Sequence, residues 1–163
     1  MTNRIWPGLT FLAICAIGSG ARYAIGSVYS AAEAIQLLEA LSRAGLYLGS
    51  AIATASATVL ALMLTLIGML RRMDKDFDEE AYRNVDLVAK LATASLMMSL
   101  LVLLAFVLPV GEFEELPATW YKNLYEILFA GCVLMTALIA ATVAMIYLTL
   151  RRVMEKITPG EDV

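Results

Sequence analysis

Residues Gly45 to Leu70 read GLYLGSAIATASATVLALMLTLIGML, a stretch without one charged side chain. An α-helix needs roughly 20 such residues to cross a bilayer, because it satisfies its backbone polar groups within the segment. Two further runs have the same length and character, Leu87 to Val110 and Leu124 to Leu150, broken only by Lys90 and Glu126. The whole chain of 163 residues is 61% hydrophobic and 17% charged, with a mean hydropathy of +0.77. Soluble domains sit near about half apolar and a quarter charged. The composition therefore predicts an all-α integral membrane protein, a four-helix bundle, with an amphipathic interfacial helix after the first span.

The fourth span comes from the N-terminal segment. Arg4, the apolar core LTFLAICAI and the small residues GSGA follow one another in the order of a signal peptide, with Ala21 as the cleavage point. The same residues suit a short retained span, and the expectation here is a membrane helix over residues 6–28, extended by tilt. Residues 29–43 read differently. Ala34, Leu37, Leu38 and Leu41 share one helical face, while Glu33, Gln36, Glu39 and Arg43 share the other. That pattern predicts an amphipathic helix lying at an interface, with one bent helix continuing from the membrane as the alternative, and it sets Glu39 and Arg43 in the favourable i,i+4 order.

Orientation follows the distribution of Lys and Arg. Arg71, Arg72, Lys75 and Arg83 occupy the connection 71–86, and Arg151, Arg152 and Lys156 the tail 151–163. Both are expected on the cytoplasmic side, which puts both termini there and the loop 111–123 outside. Trp120, Tyr121, Tyr125 and Tyr47 then form an outer aromatic belt. The expected location is a cell membrane of the bacterial inner-membrane type.

Within this frame a few residues stand out as candidates. Gly45, Gly49, Ala53, Ala57 and Ala61 place a small residue at every fourth position of the second span. Small residues let helices approach closely, which is how helices associate in lipid, so these are expected to be helix-packing positions. Ser50, Thr54, Thr58 and Thr65 cluster beside them and are candidate pore-lining residues; back-bonding to their own helix is the competing reading. Arg22 and Glu126 are the candidate intramembrane charges. Glu126 stands four residues from Lys122 and could pair there, but topology also brings it near Arg22 at the outer end.

Other chemistry is poorly served. There is no histidine, the usual ligand for haem and the commonest for zinc and copper, so no metal site and no cofactor are expected. Cys15 and Cys132 lie in separate apolar runs and read as buried small hydrophobes rather than as a CxxC or a disulfide. Neither a GxSxG nor a phosphate-cradling GxxxxGK[ST] occurs, and an enzyme is not expected. Asp74 to Glu80, DKDFDEE, opens like a calcium loop, yet Glu79 and Val85 occupy the positions that an EF-hand gives to glycine and glutamate. A net charge of -3 argues against nucleic acid. The expected partners are membrane lipid and either further copies of the chain or a larger membrane complex. Two functions follow: an oligomeric pathway for ions or small solutes, or a non-catalytic accessory subunit of a larger assembly.

Overall fold

The computed structural model describes residues 5–25, 31–70, 79–107 and 118–157, and all of them are helical. Four α-helices follow one another: α1 (Ile5–Ile25), α2 (Ala31–Leu70), α3 (Glu79–Val107) and α4 (Ala118–Ile157). Each is long and apolar enough to cross a membrane. Their exteriors are greasy all round: Leu12, Ile17, Leu62, Leu64, Leu101 and Ile127 are all exposed. A helix that is apolar on every side suits a membrane or the centre of a large protein, and not a water-facing surface.

The core differs from that of a symmetrical four-helix bundle. It is built by α2, α3 and α4, which all pack against one another, while α1 is laid on the outside of α4. Ile52, Val102, Cys132 and Met135 form its centre, one or two residues from each of those three helices and none from α1. α4 is therefore the hub.

α2 and α3 run antiparallel, and so do α1 and α4. Gly45 packs on Phe106, Gly49 on Leu103 and Ser56 on Ser95, so advancing along α2 means retreating along α3. Gly18 of α1 meets Val133 of α4, and Arg22 meets Glu126, in the same opposed sense. The start of α1 and the end of α4 consequently lie at one end of the molecule.

The seam of α3 explains the packing. Val85, Val88, Ala92, Ser95, Ser99 and Val102 are buried, and Phe106 packs on the core after them. Their spacing alternates three and four residues, the heptad rhythm that keeps one seam against a partner in left-handed bundles. α2 answers with Gly45, Gly49, Ile52 and Ser56. Gly45, Gly49 and Ser56 on α2 and Ala92, Ser95 and Ser99 on α3 are small, so the backbones approach closely there and dispersion holds them. Midway along, Ser56 Oγ donates to Ser95 Oγ at 3.1 Å, both side chains fully buried.

Two expectations change. The amphipathic segment is not a separate helix, since its described part, from Ala31, runs without a break into the second span. No proline interrupts it, and Gly45 is accommodated in mid-helix because the Phe106 ring covers it. Its sidedness survives: Gln36, Glu39 and Arg43 are exposed, and Leu37, Leu38 and Leu41 are half-buried. The helices also overrun the apolar stretches, α4 beginning at Ala118 and α3 at Glu79. Residues 26–28 and 108–110 of the expected spans, and most of the DKDFDEE stretch, lie outside the described residues.

Ser95→Leu should destabilise the protein by about 1–3 kcal/mol through overpacking of a full seam. Ser95→Ala should cost less than about 1 kcal/mol, because Ser56 can bond back to its own helix. Denaturant titration in detergent micelles measures both.

Candidate functional site

Charged groups are scarce on these helices, and two of them meet. Arg22 Nη2 donates to Glu126 Oε1 at 2.8 Å, joining the last turn of α1 to the early turns of α4. The guanidinium also lies 6.0 Å from the centroid of the Tyr125 ring, at the outer limit of a cation–π contact. Tyr125 is buried and leans on Phe129, ring centroids 6.0 Å apart. Arg22 thus bonds to a carboxylate and lies near a buried ring. Glu126, which the sequence could equally have paired with Lys122, turns to α1 instead.

Below the ion pair a groove of about 1120 Å³ runs between α1 and α4, open to the exterior. Cys15, Gly18 and Ser19 line one wall, and Phe129, Ala130, Val133 and Leu134 the other. Ser19 spends its hydroxyl on the Cys15 carbonyl at 2.8 Å, which leaves that wall locally satisfied. Gly18 sets the depth. A Cβ there would stand 2.5 Å from both Val133 methyls, and a valine, stiff at χ1, cannot swing aside. Cys15 is half-buried in this groove, whereas Cys132 is buried in the core, and both are free thiols.

The α2 candidates fall elsewhere. Gly45 and Gly49 are buried against α3, Ala53 is half-buried, and Ala57 and Ala61 are exposed. A four-residue step advances about 40° around a helix of 3.6 residues per turn, so four steps carry the stripe about 160° from where it starts. It begins inside the core and ends outside. Ser50, Thr54, Thr58 and Thr65 are all exposed on the outer surface. Thr54 donates to the Ser50 carbonyl, Thr58 to that of Thr54 and Thr65 to that of Ala61, at 2.9–3.0 Å. Within one copy these hydroxyls line no enclosed path. Lys90 lies 2.6 Å from Asp86 one turn away, on the exposed face of α3.

Sequence reasoning passed over Gly18 as a packing position and missed the α3 seam. The signal for the seam was present in the three-four spacing of Val88, Ala92, Ser95, Ser99 and Val102. Gly18 carried no such signal, because its partner lies more than a hundred residues away.

Aromatic residues collect at both ends. Tyr23, Tyr47 and Trp120 are exposed toward the end where α1 finishes, and Trp6 and Tyr147 toward the other. Among the described residues, no three His, Cys, Asp or Glu side chains gather as a metal site would require. No protein-family model, curated protein or solved structure matches this chain.

A double-mutant cycle on Arg22→Gln and Glu126→Gln should return a coupling of about 0.5–3 kcal/mol in unfolding free energy. Additive single effects would mean that the contact carries no energy. Gly18→Ile should loosen α1 from α4, costing about 1–3 kcal/mol by overpacking, and Cys15 should then react faster with a bulky thiol reagent.

Proposed function

We propose that the chain is a non-catalytic integral membrane subunit that assembles through the outer face of α2, with another copy of itself as the partner. The observation that carries this is the unpartnered surface of α2. Ser50, Thr54, Ala57, Ala61, Thr65 and Gly68 are all exposed and follow one another at three- or four-residue steps. Only 11% of the α2 apolar window is buried within the chain, against 39% for α4. Small side chains at helical spacing give up lipid contact cheaply and allow close backbone approach, so such a face suits a second helix better than it suits acyl chains.

Membrane placement is supported by the two aromatic bands. Trp6 and Tyr23 are separated by about 25 Å along α1, and Trp120 and Tyr147 by about 40 Å along α4, at 1.5 Å per residue. Those spans bracket a hydrocarbon core of about 30 Å with its interfaces. The Lys- and Arg-bearing segments 71–86 and 151–163 face the cytoplasm in this reading, by the positive-inside bias.

A second reading is favoured by the four hydroxyls on the same face. In a closed ring of copies, Ser50, Thr54, Thr58 and Thr65 would approach the axis and line a path for ions or small solutes. The accessory reading, in which α2 docks on a different membrane protein, uses the same surface without a ring.

Disulfide trapping separates these. In a background with Cys15 and Cys132 replaced by alanine, Ala57→Cys should form an interchain disulfide in native membranes, and Val107→Cys, on exposed α3, should not. Ala57→Cys remaining monomeric would overturn self-assembly through α2. Thr54→Leu should reduce solute flux in liposomes if the ring conducts; unchanged flux removes the pathway and leaves the packing role.

A further inference from the structure

We propose that the groove between α1 and α4 binds one phospholipid with an ethanolamine-type headgroup, its ammonium on Glu126 and its phosphate beside Arg22. The inference rests on the membrane placement argued above. It stands on a different surface from the α2 interface.

The groove has the layout of a lipid site. From Cys15 to Arg22 it extends about 10 Å along α1 at 1.5 Å per residue. Its inner part is apolar, walled by Phe129, Val133 and Leu134, and floored where Gly18 meets Val133. Its outer part carries the ion pair, at the level where Tyr23 and Tyr47 stand 90% and 82% exposed. A tail belongs in the first part and a headgroup in the second. At about 1120 Å³ the groove is a little larger than the roughly 300–1,000 Å³ of sites that enclose drug-sized molecules, so space does not restrict it to a small ligand.

Charge decides the headgroup. The pair is neutral as a unit, yet both members remain accessible, Arg22 at 27% and Glu126 at 43% of the side chain. An anionic headgroup would set its phosphate near the Glu126 carboxylate with no cation of its own to offset the repulsion. A zwitterion places each charge against its opposite. Among zwitterions, a primary ammonium offers three N–H donors to the carboxylate, and a quaternary one offers none. Ethanolamine therefore fits better than choline.

The test is native mass spectrometry of the full chain in micelles holding equal amounts of ethanolamine, choline and glycerol phospholipids with matched tails. The expected result is one ethanolamine lipid retained per protomer, preferred about tenfold over each of the others, as one charge-assisted hydrogen bond allows. Glu126→Gln should abolish the preference. Ala130→Trp, which fills the groove while sparing the ion pair, should abolish retention with thermal unfolding unchanged; Ser19→Phe does the same from the opposite wall should the first variant not fold. Equal or better retention of the glycerol lipid, no retained lipid in the wild type, or retention by both filled variants would each overturn the proposal, as would a second copy found seated in the groove. The subunit mass in the same spectra reports assembly independently, so a failure of the lipid site is distinguishable from a failure of the α2 interface.

Discussion

Close approach between helix backbones is the constraint on which this molecule depends. In the lipid setting proposed above, an exterior of leucine, isoleucine and valine gains nothing from one apolar neighbour over another, so hydrophobic burial cannot by itself hold the helices together there. What remains is dispersion at short range and a few hydrogen bonds. The α3 seam answers that demand with Ala92, Ser95 and Ser99, each almost wholly buried, and α2 meets it with Gly45, Gly49 and Ser56. Large side chains in these places would hold the backbones apart. The buried hydroxyls cost little, because among the described residues every buried polar side-chain atom has a partner. Thr142 bonds to the Leu138 carbonyl, and Ser99 to that of Leu96.

The same constraint ranks the helices. α4 carries contact residues around most of its circumference, with Tyr125, Leu128, Cys132, Met135, Ala141 and Met145 buried. α1 has almost nothing to bury beyond the strip facing α4. Its attachment runs along one strip of the helix and includes Gly18 against Val133 and the Arg22–Glu126 ion pair near its end. An open cleft lies beside this strip, and the Arg22–Glu126 pair sits at its outer end. α2 occupies an intermediate position, tightly seated at Gly45 and Gly49 and increasingly bare toward Gly68.

Much of the fold was legible in the residues, because length and polarity alone decide whether a segment can cross hydrocarbon. Four apolar helices are what the composition implied. The internal arrangement was not legible to the same degree. The every-fourth-residue stripe on α2 looked like one surface, but 3.6 residues per turn winds it around the helix, and only its first half meets α3. The separate interfacial helix was inferred from a change in sidedness at Arg43. A change in sidedness records a change in surroundings and does not require a break in the backbone. Arg22 and Glu126 could be singled out because charges are rare in such segments. Their meeting depended on the pairing of α1 with α4, which only a long-range contact can establish.

The opposed running of α1 against α4, and of α2 against α3, has one further consequence. Each pair sets the electropositive end of one helix beside the electronegative end of the other, so the macrodipoles of the rods largely offset each other.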